Sequence, residues 1–271
     1  MMHRPIAMFD SGFGGLTVAR AVIDLMPEED VVYFGDSARY PYGPRPHAEV
    51  IAYAEQITRW IVDHHDPKMI VVACNTATAV ALDRLREIVS VPVVGVLEPG
   101  LRALLSVSVS GRVGVIGTVG TVASGAYQTL ATDLAPAIDL TVAACPGFVE
   151  FVERGETGSD QVHVLAERLL APVVEARVDA LLLGCTHYPF LARTIADVMG
   201  RDVVLVSSAD ETAFAVQRQL SAAELRRPEA EAGGVTQWIS SGDTDVFAEL
   251  GRRLLGPELD VVTPHRWEQQ L

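Results

Sequence analysis

Two cysteines in matching settings are the residues of this sequence best suited to chemistry. Cys74 lies in the run ACNT at 73–76 and Cys185 in the run GCTH at 184–187, each directly after a stretch of aliphatic residues. A helix N-terminus lowers the pKa of a thiol, so the thiolate becomes accessible near neutral pH. Two such thiols on opposite sides of a cleft could remove a proton from one face of a carbon and return a proton to the other face, which inverts a stereocentre.

Other thiol chemistries are less well supported. His187, two residues after Cys185, suggests a cysteine–histidine hydrolase, but that kind of enzyme needs one nucleophile and no second cysteine in a similar setting. The cysteines form neither a C-x-x-C pair for thioredoxin-like redox chemistry nor a compact Cys/His cluster for zinc. Cys145, which precedes Pro146, is interpreted as structural. We therefore expect no bound metal.

A glycine-rich run, DSGFGG at 10–15, follows the first aliphatic stretch. It does not fit the dinucleotide-binding fingerprint, because the third glycine would fall at Thr17 and Asp10 would repel a pyrophosphate. The run is better interpreted as an amine or carboxylate site in which Asp10 pairs with an ammonium group and Ser11 with an oxygen. A tight turn without any ligand is the alternative.

Short aliphatic runs alternate with longer segments of helical pattern. Runs that lack an in/out alternation and are separated by helix-length segments are typical of strands buried on both faces of a parallel sheet. The predicted strands are Ile6–Phe9, Val31–Phe34, Met69–Ala73, Val93–Leu97, Val113–Ile116, Leu140–Ala144, Ala180–Leu183, Val203–Val206, Gln237–Ser240 and Val261–Thr263. The pattern predicts an α/β protein, with ligands bound outside the carboxyl ends of the strands.

The first eight predicted strands repeat one spacing. Their centres lie near residues 7, 32, 71 and 94 and again near 114, 142, 182 and 204, so corresponding strands are separated by about 110 residues. We therefore predict two similar parallel-sheet α/β domains related by a pseudo-twofold axis, with the active site in the cleft between them. The first domain would be discontinuous, formed by residues 1–97 and 207–271, and the second would be formed by residues 98–206.

Composition limits the class of protein further. Of the 271 residues 49% are hydrophobic and 21% are charged, and the formal net charge is −14. These values exclude a disordered or fibrous protein. The negative charge repels nucleic acid and anionic lipid, so we expect neither as a partner. The apolar run Ile6–Phe9 is too short for a signal-peptide core or a membrane span, which favours a cytoplasmic protein.

Lys68 is the only lysine of the chain. Pyridoxal-dependent racemases need a lysine to hold the cofactor. Lys68 precedes the strand predicted from Met69, so we expect it at the end of the sheet away from the site. The sequence therefore argues against pyridoxal, and we expect no cofactor. Removal of a proton from carbon leaves a carbanion, and without a cofactor nothing delocalises its charge. We therefore expect backbone amides, helix N-termini and a desolvated cleft to stabilise it.

Five motifs, in one order along nearly the whole chain, resemble those of glutamate racemases. They are DSGxGG at 10–15, Asp36 followed by PYG at 41–43, CNT at 74–76, CP at 145–146 leading to VExG at 152–155, and CTHYP at 185–189. Each motif is weak alone, and the five in register are specific. Aspartate and hydantoin racemases share the two cysteines, but the first and last motifs favour the glutamate racemases. Glu150 departs from the pattern, which has an uncharged residue at this position.

The resemblance implies a cofactor-independent racemase that interconverts L- and D-glutamate and supplies D-glutamate for peptidoglycan. It implies that Cys185 deprotonates the L isomer and Cys74 the D isomer. Asp10 would assist near Cys74, His187 would assist near Cys185, and Glu153 would be a further acidic site residue. The positions that the resemblance assigns to substrate contact are Asp10, Ser11, Pro41, Tyr42, Gly43, Asn75, Thr76, Thr118, Thr121, Thr186 and His187. A homodimer is the oligomeric state that the resemblance implies.

Three other functions are alternatives to this one. A racemase for aspartate or another small acid would share the thiol pair. A binding module that holds an amino acid without chemistry would not require paired thiols. A regulator associated with nucleic acid is disfavoured by the net charge of −14.

Overall fold

The structure, a computed structural model, describes residues 2–228, 233–256, 259 and 261–267. The predicted first domain therefore extends in part beyond the described residues. Within them the strands are β1 (Ile6–Asp10), β2 (Val31–Gly35), β3 (Met69–Val72), β4 (Val93–Gly95), β5 (Arg112–Gly117), β6 (Asp139–Ala144), β7 (Ala180–Gly184), β8 (Val204–Ser207), β9 (Thr236–Ser240) and β10 (Val262–Pro264).

The helices of the described residues connect these strands. They are α1 (Leu16–Leu25), α2 (His47–His65), α3 (Asn75–Ile88), α4 (Leu97–Val107), α5 (Val119–Ala123), α6 (Ala126–Leu134), α7 (Phe148–Glu153), α8 (Asp160–Glu175), α9 (Ala192–Met199), α10 (Ser208–Ala222) and α11 (Thr244–Leu255). A 3₁₀ turn, Tyr188–Leu191, precedes α9. None of the described helices combines the length and apolar character that crossing a membrane requires.

The strands form two parallel sheets. The six-stranded sheet has the order β10-β9-β2-β1-β3-β4, and the four-stranded sheet has the order β6-β5-β7-β8. The segment β2-β1-β3-β4 thus has the same order as β6-β5-β7-β8, with corresponding strands in corresponding places. The predicted α/β class, with two similar parallel sheets, is confirmed.

The apolar core lies in three layers. One cluster contains residues of both sheets together with α1, α4 and α10, so these helices are packed between the sheets. A second cluster joins α2 and α3 to the outer face of the six-stranded sheet. A third joins α8 and α9 to the outer face of the four-stranded sheet. Because both faces of each sheet are covered, strands such as β1 are buried along their whole length, as their unalternating sequences predict.

One predicted strand was too long. The apolar run Val93–Leu97 was predicted as a single strand, but β4 ends at Gly95 and Leu97 is the first residue of α4. A buried strand and the start of a buried helix have the same apolar pattern over a few residues, so periodicity does not locate the change.

Lys68 lies at the amino end of β3, on the edge of the sheet opposite the strand exits. Its ammonium group is fully buried and forms an ion pair with the buried Glu29. It also donates hydrogen bonds to the carbonyl oxygens of Met2 at 2.7 Å and Leu225 at 2.9 Å. The lone lysine therefore joins the start of the chain, the loop before β2 and the segment after α10.

Replacing Lys68 would leave a carboxylate buried without its cation. We expect Lys68→Met to lower the free energy of unfolding by about 3–5 kcal/mol, measured by urea denaturation. The double variant Lys68→Met/Glu29→Gln should recover part of that loss, because no charge then remains buried at this point. An equal loss in the single and double variants would contradict this account.

Candidate active site

One cavity opens between the two sheets at the carboxyl ends of their strands. It encloses about 610 Å³, part of which is open to solvent. Its walls are Ser11, Tyr40, Pro41, Tyr42, Gly43, Pro44, Cys74, Asn75, Thr76, Thr118, Val119, Cys145, Pro146, Gly147, Val149, Glu150, Cys185, Thr186, His187 and Tyr188. These residues follow β1, β2, β3, β5, β6 and β7, so both sheets contribute to the cavity.

Most of the predicted site residues lie in these walls. Both cysteines and nine of the eleven predicted contact residues, His187 among them, are present, and three predicted site residues lie outside these walls. Asp10 and Thr121 are buried next to the cavity, and Glu153 lines an adjacent cavity on the far side of His187.

Cys74 is the N-cap residue of α3. Its Sγ accepts a hydrogen bond from the Ala77 N–H at 3.5 Å and lies 3.8 Å from Ser11 Oγ. Burial raises the pKa of the Cys74 thiol to about 12, and the charge of Asp10 contributes to the rise. The sequence predicted a lowered pKa at this helix N-terminus. That prediction is wrong for Cys74, because burial outweighs the single helix N–H.

Cys185 follows β7 and faces a histidine. Its Sγ lies 4.0 Å from Nδ1 of His187, and Nε2 of the same ring lies 3.7 Å from Oε1 of Glu153. Burial lowers the pKa of His187, but the interactions with Cys185, Glu153 and Asp10 outweigh it and raise that pKa to about 10. His187 is therefore an imidazolium at neutral pH, and a cation at this distance stabilises negative charge on sulfur.

Asp10 ends β1 and is completely buried behind the cavity wall. Its Oδ1 accepts a hydrogen bond from the Gly12 N–H at 2.8 Å, and Thr186 Oγ1 lies 3.5 Å from Oδ2. Burial raises the pKa of Asp10, while the charge of His187 and the N–H groups of the glycine-rich loop oppose the rise. The carboxyl group thus acts on both thiol sites from behind the wall, which differs from the direct pairing with a ligand ammonium suggested by the sequence.

Three threonine hydroxyls connect the two halves of the cavity. Thr76 Oγ1 of α3 lies 2.9 Å from Thr118 Oγ1 and 3.2 Å from Thr121 Oγ1, and the latter two are 3.0 Å apart. Thr118 is also the N-cap of α5. Beside them Asn75 donates to the Tyr127 hydroxyl at 3.2 Å, and no described residue pairs with its buried Oδ1. Thr121 therefore supports the wall, and Asn75 has an acceptor free for a ligand.

Some wall residues were not predicted from the sequence. Tyr40, Val149 and Glu150 line the cavity, but none belongs to a motif of reactive residues. Tyr40 directly precedes a predicted contact residue, which is the only signal that could have identified it. Cys145 is buried in the wall, and its carbonyl accepts a hydrogen bond from the Tyr188 hydroxyl at 3.0 Å.

The charges of the wall restrict what the cavity can bind. None of the described residues that line it is a lysine or an arginine. A bound carboxylate would be held by hydroxyl groups, the side-chain amide and backbone N–H groups. Within the described residues no group of three or more His, Cys, Asp or Glu side chains is arranged to hold a metal ion.

Comparison with known proteins gives a consistent result. Residues 16–216 match the model of the Asp/Glu/Hydantoin racemase family. The glutamate racemase of Acidothermus cellulolyticus is 50% identical over 97% of this chain and 99% of its own length. A glutamate racemase isoform from Bacillus anthracis superposes with a TM-score of 0.92 at 34% identity, over 99% of both chains.

A second solved structure, the glutamate racemase of Francisella tularensis in complex with D-glutamate, superposes with a TM-score of 0.91 at 30% identity, over 98% of both chains. The similarity thus extends over both sheets and over all the segments that line the cavity. The chain belongs to the Asp/Glu/hydantoin racemase family and, within it, to the glutamate racemases.

Proposed function

We propose that this chain interconverts L- and D-glutamate by a two-base mechanism that uses no cofactor, with Cys185 and Cys74 as the bases. The observation that carries the proposal is the position of the two thiols. Both thiols line one cavity. Cys74 follows β3 and Cys185 follows β7, and these two strands have corresponding positions in the two sheets. Two halves related in this way present the thiols to the ligand from opposite sides.

The reaction consists of two proton transfers. With L-glutamate, the thiolate of Cys185 takes the α-proton and becomes a thiol, and the C–H electron pair stays on the α-carbon. The thiol of Cys74 then gives its proton to the opposite face of that carbon and becomes a thiolate. With D-glutamate the roles are exchanged, so each turnover leaves the two cysteines in the protonation states required by the other isomer.

The electrostatics of the free protein match the start of the L-to-D direction. The raised pKa of Cys74 keeps that residue a thiol, which is the acid. The His187 imidazolium lies beside Cys185, the residue assigned as the base in this direction. Glu153 and Asp10 do not line the cavity, but their charges help to keep His187 protonated. They are therefore positioning residues, which act through His187.

Substrate binding relies on neutral donors. The carboxylates of glutamate would accept hydrogen bonds from hydroxyl groups and backbone N–H groups at the starts of α3 and α5. The same groups stabilise the negative charge that develops when the α-proton leaves. Residues suited to this contact are Ser11, Thr76, Thr118 and Thr186, together with the 41–43 segment. Asn75 Oδ1, which has no partner among the described residues, would instead accept a hydrogen bond from the substrate ammonium group.

The wider role follows from the product. D-glutamate would be supplied to peptidoglycan synthesis in the cytoplasm, and we propose a homodimer. The D-glutamate bound in the Francisella relative supports glutamate as the substrate.

We also propose that the two sheets belong to two domains divided near residues 97 and 207, so that closure of the domains would exclude water from the cavity.

The two-base assignment predicts the behaviour of single cysteine variants. In deuterium oxide without added cofactor, the wild type should racemise both isomers and incorporate deuterium at the α-carbon of the product. Cys74→Ala and Cys185→Ala should each lower the rate of racemisation by at least about 100-fold, because one proton transfer loses its donor or acceptor. Circular dichroism follows the inversion and NMR follows the deuterium.

Cys145→Ala is the matched control, since it removes a buried thiol of the same cavity that has no part in the proposed transfers. Its activity should stay within about tenfold of the wild type. Thermal unfolding shows whether each variant is folded. Full racemase activity in either of the first two variants would refute the assignment of the bases, and faster turnover of aspartate than of glutamate would refute glutamate as the preferred substrate.

The pKa of His187 predicts a pH dependence. Because its pKa is raised to about 10, the imidazolium is present below that pH and is lost as the pH rises through it. The kcat of the wild type should therefore fall above pH 10. Glu153→Gln removes a carboxylate that raises this pKa, so the fall should begin at a lower pH.

The measurement is kcat between pH 7 and 11 for both isomers. The amine of the substrate titrates equally in all variants, so a difference between variants reports on the protein. Glu150→Gln neutralises a nearby wall carboxylate and should give a profile closer to that of the wild type. An identical alkaline limb in Glu153→Gln and the wild type would remove Glu153 from this role.

A further inference from the structure

Trp267, in the segment that follows β10, contacts the loop after β2. Trp267 Nε1 donates a hydrogen bond to Asp36 Oδ1 at 2.9 Å. The face of its indole lies over the guanidinium of Arg39, with 4.2 Å between Cζ and the ring centroid, and its ring is 5.4 Å from that of Phe34. The proposed proton transfers use none of these groups.

Asp36 is a fully buried carboxylate with four donors around it. Ser241 Oγ donates to Oδ1 at 2.7 Å, Arg39 Nε donates to Oδ2 at 2.7 Å, and the Tyr42 hydroxyl also donates to Oδ2. A buried carboxylate is stable only when its oxygens are satisfied in this way. Two of the four donors, Ser241 and Trp267, come from the part of the chain that follows β9.

The network extends to the cavity through Tyr42. This side chain is 1% exposed and lines the cavity, and its hydroxyl is engaged by Asp36 rather than free for a ligand. The next residue, Gly43, accepts a hydrogen bond from the Gly120 N–H at 2.8 Å, which joins the loop to the other half of the cavity. Asp36 therefore holds the hydroxyl group of a residue that lines the cavity.

We propose that Trp267 is a positioning residue for racemisation: its indole N–H orients Asp36, and Asp36 holds Tyr42 and the 41–43 wall in place for the substrate. The inference rests on the proposed function, because it takes this wall to contact glutamate. It assigns the end of the described chain a role in substrate binding, although Trp267 lies 231 residues from Asp36 along the sequence.

The alternative is that Trp267 is only an apolar cover for the neighbouring rings. The two roles differ in what the N–H contributes. Trp267→Phe removes the N–H and keeps an aromatic ring. Trp267→benzothienylalanine replaces the N–H with sulfur at nearly the same shape, so it decides the matter if the phenylalanine variant does not fold.

The kinetic readout is the division between KM and kcat. A displaced wall weakens contacts made equally in the ground state and the transition state, so KM should rise about tenfold while kcat changes little. Because L- and D-glutamate have equal free energies, each variant must change kcat/KM by the same factor for both isomers, relative to the wild type. Trp60→Phe, which removes another indole N–H from the same aromatic cluster without touching Asp36, should leave both constants near the wild-type values.

A double-mutant cycle tests the route through Asp36. Tyr42→Phe removes the hydroxyl that Asp36 holds, so adding Trp267→Phe to it should cause little further change in KM. A KM within twofold of the wild type in both Trp267 variants would overturn the proposal, and so would a tenfold rise that persists in the Tyr42→Phe background.

Calorimetric titration with D-glutamate separates this inference from the proposed function. A wild type that binds D-glutamate without racemising it would refute the proposed function, and the dissociation constants of the variants would still decide the role of Trp267. A wild type that neither binds nor racemises glutamate would refute both.

Discussion

The site depends on how closely the two halves of the molecule approach each other, and Gly14 makes that approach possible. A Cβ at this position would lie 2.2 Å from Thr186 Oγ1 and 2.5 Å from Nδ1 of His187, distances at which no side chain fits. The loop after β1 and the loop after β7 therefore pack against each other at Gly14, where the space admits a hydrogen atom but no Cβ. On the other side of the cavity, the Gly43 carbonyl and the Gly120 N–H join the halves directly. With both contacts in place, a small acid can be enclosed between the two thiols.

Close approach also explains why the two cysteines differ although their sequence settings are alike. Cys74 is buried near a carboxylate, and Cys185 is buried near an imidazolium. The charges of Asp10 and His187 reach each other across the interface, since each changes the pKa of the other. The proposed two-base mechanism needs one thiol and one thiolate at the start of a turnover. The asymmetric placement of Asp10 near Cys74 and of His187 near Cys185 gives the two thiols neighbours of opposite charge, although no lysine or arginine is among the described residues that line the cavity.

Much of the architecture could be predicted from local patterns. Aliphatic runs without alternation identified the strands, and the repeated spacing predicted two similar sheets. The structure adds that four corresponding strands have the same order in both sheets. The positions of Ser11, Cys74 and Cys185 in the cavity follow from the same pattern, because parallel strands bring their carboxyl ends to one edge. Boundaries were less predictable where an apolar run continues into a helix, as at Leu97. The wall residue Tyr40 carried no motif, since its place depends on the loop that contains it.

By itself the sequence determined the class of fold and the matching positions of the two cysteines after corresponding strands, because periodicity and spacing are local properties. Only the tertiary structure decided the protonation tendencies and the support of the walls. The pKa of Cys74 rises instead of falling, because burial is a property of the whole fold and outweighs the local helix N–H. Asp36 is satisfied by Ser241 and Trp267, which are more than 200 residues away in the chain. No local pattern relates such distant residues, and only the packing of the complete chain brings them together.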